Sequence, residues 1–176
     1  MQFNFRKALA ADLAAIEGIY DRIHAEEEAG RASIGWVRGV YPTRATAEAA
    51  LSRGDLFVEE ADGGIAGTAI LNRIQVDVYE NAPWRYDAPE GQVMVLHTLV
   101  IDPRVKGRGL GRAFVGFYES YAREQGCPYL RMDTNARNAN ARAFYQTLGY
   151  REIAILPCEF NGIPGVNLVL LEKKLN

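Results

Sequence analysis

The stretch from Val93 to Arg112 constrains the fold of this chain most, because it joins an apolar run to a glycine-rich turn. The run ends at Pro103, which has no N–H to donate to a neighbouring strand, so a buried strand is expected before it. A helix is expected after the turn, with Leu110, Phe114 and Phe117 on one face. This arrangement favours an anion site, because the free N–H groups of a first helical turn point at the ligand.

The turn itself carries glycines and basic side chains: Lys106, Gly107, Arg108, Gly109, Gly111 and Arg112. Glycine permits positive φ and lets the backbone approach an anion closely. The pattern therefore predicts a phosphate cradle. Two other phosphate-binding folds fit poorly, because the even glycine spacing differs from GxGxxG and the Gly-Lys-Ser/Thr of a P-loop is missing.

Two blocks of this sequence resemble the GNAT family of N-acetyltransferases. Lys106-x-x-Gly109-x-Gly111 is similar to that family's acyl-CoA pyrophosphate loop, Gln/Arg-x-x-Gly-x-Gly/Ala, with Lys in the first position. The block from Asn138 to Tyr150 resembles its Asn-x-x-Ala-x-x-Leu/Phe-Tyr…Gly-Phe/Tyr signature. The resemblance covers roughly residues 71–150, and segments 36–42 and 75–92 look like a bacterial subgroup of unassigned acetyltransferases.

The resemblance implies an α/β (α+β) fold with a mixed, mostly antiparallel sheet of six to seven strands and about four helices. Read along the chain, periodicity and turn signals predict one strand, two helices, three strands, a helix, a strand, a helix and two strands. The last two strands are expected at 151–156 and 166–172, with a loop over Pro157–Gly165. Residues 1–176 are expected to form a single acyl-CoA N-acyltransferase domain.

The family resemblance implies a function: direct transfer of the acetyl group of acetyl-CoA to a primary amine of a small molecule or peptide. The residues expected to contact acetyl-CoA are Leu99, Val100, Ile101, Lys106, Gly107, Arg108, Gly109, Leu110, Gly111, Arg112, Asn138 and Tyr145. A backbone N–H near Val100 would stabilise the charge that develops on the thioester oxygen. Tyr145 falls on the family's tyrosine position and is the candidate general acid, the alternative being a core aromatic residue.

The general base is left open between His97, Asp133 and a water chain. In a regular strand, His97 would share a face with Leu99 and Ile101, and histidine titrates in a suitable range. A core histidine with a satisfied hydrogen bond is an equally good interpretation. Asp133 lies near the end of the next predicted strand, and could instead cap the following turn.

Two aromatic segments are expected to form the substrate side. The residues proposed to bind substrate are Trp36, Arg38, Tyr41, Tyr79, Trp84 and His97, and the alternative is that the rings simply cover the edge of the core. The acidic residues Glu26–Glu28, Asp77, Glu80 and Asp87 favour a cationic amine or polyamine acceptor. The alternative for Glu26–Glu28 is a solvated helix end.

Composition and net charge limit which partners, sites and locations are expected. A net charge of −2 gives no field for nucleic acid or an anionic membrane. The two cysteines form no CxxC motif, so neither a metal site nor a disulfide framework is expected. No signal peptide or apolar stretch of about 20 residues is present, so a cytoplasmic location is expected. The family resemblance allows a homodimer, and a non-catalytic acyl-CoA sensor is the alternative function.

Overall fold

The computed structural model describes residues 2–176, and its elements follow the predicted order. The strands are β1 (Asn4–Lys7), β2 (Leu56–Ala61), β3 (Gly64–Asn72), β4 (Val93–Ile101), β5 (Tyr129–Asn135), β6 (Arg151–Phe160) and β7 (Ile163–Lys174). The helices are α1 (Leu13–Glu28), α2 (Arg44–Arg53), α3 (Leu110–Glu124) and α4 (Ala139–Thr147). This mixed α+β architecture confirms the predicted fold class.

The strands form one sheet in the order β1-β2-β3-β4-β5-β7-β6. Among the strands of residues 2–176, only β4 and β5 are parallel, as expected for two strands joined through α3. Their pairing starts at Val93 and Tyr129 and stops at Leu96 and Met132. Beyond this point β5 continues against β7 as far as Asn135. β4 and β5 therefore separate, and the space between them is called the strand gap below.

A bulge in β4 lies at the start of the strand gap. Thr98 has a φ of 51°, and the register with β3 passes from Ile70↔His97 to Thr68↔Val100. The extra residue reverses the alternation of side chains between the two faces. His97 consequently shares a face with its partner Ile70, and the expectation that it faces with Leu99 and Ile101 is wrong.

Each face of the sheet is covered by different elements. α3 and α4 pack on one face, where Phe114, Tyr118 and Tyr145 join a core with Leu130 and Met132. The other face is covered by α1 and α2, and by the segment 75–92, which is irregular apart from one short 3-10 turn. None of the helices in residues 2–176 combines the length and apolar composition that a membrane crossing requires.

The last two strands form one long hairpin, so the predicted loop over Pro157–Gly165 is wrong. Only Asn161 and Gly162 make the turn, both with positive φ, at 52° and 77°. Pro157 is tolerated inside β6 because β6 is an edge strand, where a missing N–H need not break a ladder on both sides. The hairpin therefore reaches further along the sheet than the proline and glycines indicated.

Candidate active site

A cavity of about 150 Å³ occupies the strand gap. It connects the two faces of the sheet, because its walls come from both. Leu99, the α4 N-cap Asn138, and Ala141 and Tyr145 of α4 line the α3–α4 side. The opposite side is lined by Trp36, Tyr41, His97, Asp133, Phe160 and Ile163.

Residues 106–112, called the glycine loop below, present free backbone donors at the start of α3. None of the seven amide N–H groups from Lys106 to Arg112 donates to an acceptor within residues 2–176. Gly107 and Gly109 have φ values of 80° and 82°, a conformation that other residues adopt only under strain. Orphan amides at the N-terminus of a 15-residue helix suit an anionic phosphate group.

One of the three basic side chains of this loop is already paired with a carboxylate of the protein, and within residues 2–176 the other two are free to bind an anion. The Arg108 guanidinium is bound to the carboxylate of Asp62, in the turn between β2 and β3. Lys106 and Arg112 are exposed beside the loop. The backbone amides and the helix dipole are therefore the best-positioned groups for a diphosphate, with the two exposed cations adding charge nearby.

Tyr145 is 9% exposed and borders the cavity from α4. Its hydroxyl makes no hydrogen bond to the part of the chain that the structure describes. Burial, and then the neighbouring carboxylate of Asp133, raise the pKa of Tyr145 above its usual value. The phenol is protonated at neutral pH and can act as a proton donor.

Asp133 on β5 contributes a carboxylate to the cavity. The Tyr79 hydroxyl donates a hydrogen bond of 2.6 Å to Asp133 Oδ2. Burial raises the pKa of Asp133 to about 6, against the smaller opposing effect of the Tyr79 hydrogen bond. The group is therefore mostly ionised at neutral pH, yet far more basic than an exposed aspartate.

His97 is held by a chain of hydrogen bonds that determines its tautomer. Asn72 Nδ2 donates to the Asp55 carboxylate at 2.9 Å, and Asn72 Oδ1 accepts from the Ile74 N–H at 2.9 Å. Because Oδ1 is an acceptor, His97 Nε2, 2.8 Å away, must carry the proton. Burial lowers the pKa of His97 to about 4, so the ring is neutral with its lone pair on Nδ1.

Three of the predicted substrate residues do not line the cavity. Arg38 is exposed and binds Glu28 at 2.8 Å and Asp21 at 3.2 Å. Tyr79 lies behind Asp133, and Trp84 packs edge-on against Tyr79 with the Arg131 guanidinium 4.1 Å from its ring centre. By contrast, Trp36 and Tyr41 do border the cavity.

The acidic run at the end of α1 serves local structure. Glu26 binds Arg31, Glu28 binds Arg38, and Glu27 accepts from two backbone N–H groups of the following segment. None of these carboxylates borders the cavity, and neither do Asp77, Glu80 or Asp87. The solvated-helix-end interpretation fits Glu26 and Glu28 better than a role in attracting substrate.

Sequence reasoning missed several residues of the site. Thr98, whose hydroxyl is hydrogen-bonded to that of Tyr41, carries no local signal for its positive φ. Asn72 gives no hint of its bond to His97, because the two lie 25 residues apart. For Phe160 and Ile163, the Asn161-Gly162 dipeptide between them is a hairpin signal that could have located both.

Comparison with known proteins agrees with this geometry. A 98-residue segment is 30% identical to mycothiol acetyltransferase of Acidothermus cellulolyticus, covering 54% of this chain and 29% of that protein. A GNAT-family acetyltransferase of Streptococcus agalactiae superposes with a TM-score of 0.82 at 22% identity, over 99% of this chain and 96% of the other. The structure of yncA from Salmonella typhimurium with its cofactor acetyl-CoA gives a TM-score of 0.70 at 20% identity, over 100% and 95%.

The two structural matches establish the fold, and the mycothiol acetyltransferase match extends over less than a third of that protein. A family profile covers much more of this chain. Residues 16–150 match the acetyltransferase (GNAT) family, a span that includes both the glycine loop and the block from Asn138 to Tyr150. This chain therefore belongs to the GNAT family of acetyltransferases, which use acetyl-CoA.

Proposed function

We propose that this chain transfers the acetyl group of acetyl-CoA directly to a primary amine that binds in the strand gap. One observation carries the proposal: a loop of seven free amides follows β4, and residues 96–99 of the same strand line a cavity in the sheet. The glycine loop suits the diphosphate, and the cavity suits the reacting groups. The open edge of β4 between them suits the amide-rich pantetheine arm.

Bound acetyl-CoA would supply an activated acetyl group as a thioester. In the transfer the acceptor nitrogen bonds to the acetyl carbon and the carbon–sulfur bond breaks. An acceptor that enters as an ammonium releases one proton to solvent before it attacks. The amine nitrogen then loses a second proton, and the sulfur gains one. We assign to the Tyr145 hydroxyl the donation of the proton to sulfur. A backbone N–H of β4 near Val100 would stabilise the negative charge that develops on the thioester oxygen.

Asp133 is the better candidate for the proton from nitrogen. Its pKa of about 6 is close to working pH, whereas a His97 pKa of about 4 makes that ring a weak base. Proton return from Asp133 to Tyr145 through solvent would restore both groups. His97, held by Asn72, then serves as a neutral wall of the acceptor side.

The test pairs two glycine substitutions on α3 and the loop before it. Gly109→Ala forces a left-handed residue to carry a Cβ, whereas Gly116→Ala adds the same methyl at an exposed helical position with nothing within 4 Å. Holding alanine in the left-handed conformation costs about 1–2 kcal/mol, which disfavours the loop conformation that would bind the diphosphate. Calorimetric titration with CoA should show affinity about tenfold weaker for Gly109→Ala and unchanged for Gly116→Ala.

Turnover is then measured as CoA thiol release with a panel of primary amines. Tyr145→Phe should reduce kcat at least tenfold while CoA affinity stays the same, because proton donation to sulfur contributes only to the chemical step. A wild-type protein that binds CoA but acetylates no amine would contradict the proposal and favour an acyl-CoA sensor. Equal CoA affinity of the two glycine variants would contradict the assignment of the glycine loop.

A further inference from the structure

The charge of the cavity wall narrows the class of acceptor. Among the described residues that line the cavity, Asp133 is the only one with a charged side chain, and His97 is neutral. The Tyr79 hydroxyl donates a hydrogen bond to Asp133 Oδ2, while Oδ1 makes no hydrogen bond within residues 2–176. A single carboxylate oxygen therefore remains to bind a cation from inside the cavity.

Within residues 2–176, no side chain lining the cavity supplies a positive charge in return. The neighbouring cation is Arg137, an exposed residue at the rim, whose Nη2 lies 3.3 Å from where a Cβ on Gly35 would stand. In an α-amino acid one carbon separates the amine from the carboxylate. With the amine beside Asp133, that carboxylate would be placed inside the cavity, close to a second negative charge and without a cation.

The rest of the cavity lining is uncharged, with apolar walls beside polar side chains such as Thr98, Asn135 and Asn161. Trp36 and Tyr41 form one wall, with ring centres 6.0 Å apart and the rings nearly perpendicular. Phe160 and Ile163, at the tip of the hairpin, form another. A second ammonium group, as in a polyamine, would find no second carboxylate among these lining residues.

Resting on the proposed function, we propose that the acceptor is a primary monoamine on an uncharged, apolar body, held through its ammonium by Asp133. Free α-amino acids and polyamines are then poor acceptors. The apolar body packs between the aromatic wall and the hairpin tip. This chemistry follows from the lining of the cavity, and it replaces the wider expectation of a cationic amine or polyamine.

Three acceptors that share one body test the proposal with the intact protein: 2-phenylethylamine, phenylalaninamide and phenylalanine. They differ only in carrying hydrogen, a neutral amide or a carboxylate on the carbon next to the amine. We expect kcat/KM for phenylalanine to be roughly 100-fold lower than for either of the others, because its carboxylate is buried without a partner. Since 2-phenylethylamine is the strongest base of the three, a preference for it cannot come from a larger free-base fraction.

A second series with a smaller body, 3-methylbutylamine, leucinamide and leucine, separates size from charge, and spermidine tests the polyamine class. If kcat/KM for phenylalanine or leucine lay within tenfold of the value for its amide, the inference would be overturned. Spermidine as the best acceptor would overturn it too. Either result would leave the acetyltransferase proposal standing. Acetylation of none of the seven compounds, with CoA binding intact, would overturn both. Arg137→Ala should leave unchanged the ratio of kcat/KM for the amide to kcat/KM for the amino acid. A rise in that ratio would mean that the rim arginine binds carboxylates.

Discussion

At the scale of single residues, the hydrogen bond between Tyr79 and Asp133 links the irregular segment 75–92 to the proposed general base. Tyr79 is buried and does not line the cavity in the strand gap, so we expect it to act on the reaction through the carboxylate. Its hydrogen bond lowers the pKa of Asp133, which burial raises to about 6. The phenols around Asp133, of Tyr41, Tyr79 and Tyr145, all have raised pKa values, so none of them titrates in this range.

We expect the pH profile of kcat/KM to fall below about pH 6 as Asp133 takes up its proton. In Tyr79→Phe the stabilising hydrogen bond to the carboxylate is lost, so the pKa of Asp133 rises and the acidic limb moves to higher pH. Tyr86→Phe is the matched control, because Tyr86 lies on the same segment, is 37% exposed and its hydroxyl bonds to nothing described. An acidic limb that stays in place in Tyr79→Phe would remove Asp133 from the role of base.

At the scale of elements, the connection between α1 and α2 forms the aromatic wall of the cavity. Apart from one β-bridge between Val37 and Tyr41 it has no helix or strand before Arg44, so side chains help to hold it. Glu27 accepts hydrogen bonds from Ile34 N at 2.7 Å and Gly35 N at 3.0 Å, immediately before Trp36. Asn135 Nδ2 also lies against Gly35, so close that a Cβ there would be only 2.3 Å away.

Replacing Glu27 by Ala should release this wall. Two charge-assisted acceptors are lost, so we expect the free energy of unfolding to fall by about 2 kcal/mol and KM for the amine to rise several-fold. The CoA affinity should not change, because the glycine loop lies elsewhere. Glu28→Ala removes only an exposed ion pair with Arg38 and should change either quantity little. Equal effects of the two variants on KM would show that Glu27 does not position the wall.

At the scale of the whole molecule, one buried carboxylate opposes stability at high pH. Glu59 in the middle of β2 is 0% exposed, and neither of its oxygens has a hydrogen-bond partner among the described residues. Burial raises the pKa of Glu59 from 4.5 to about 8. A raised folded-state pKa means that stability is fully present below pH 4.5 and is lost as the pH rises through about 8.

Glu59→Gln should therefore unfold at higher denaturant concentration than the wild type at pH 9, with the difference shrinking to nothing near pH 4.5. The expected slope is about 1.4 kcal/mol per pH unit across that interval. Its neighbour Glu60 provides a control of opposite sign, since hydrogen bonds from Asn4 and Arg6 lower the pKa of Glu60. Glu60→Gln should cost stability at neutral pH and lose this effect in acid. A pH-independent difference for Glu59→Gln would mean that the carboxylate is solvated.

The order of helices and strands, the glycine loop and the Asn138–Tyr150 block could all be read from the chain itself. Each rests on signals between residues close in sequence: hydrophobic periodicity, glycines where φ is positive, and a proline that ends a strand. The same local reasoning failed at Pro157, because tolerance of a proline depends on whether its strand lies at the edge of the sheet.

The sequence alone thus determined the architecture, the family and the position of the glycine loop. Only the tertiary structure decided which face His97 occupies, that Arg38 and Glu26–Glu28 lie outside the cavity, and that Tyr79 supports Asp133. The physical reason is distance along the chain: Tyr79 and Asp133 are 54 residues apart, and a single extra residue at Thr98 reverses a face. Such contacts form only when the sheet brings remote segments together, so no local pattern records them.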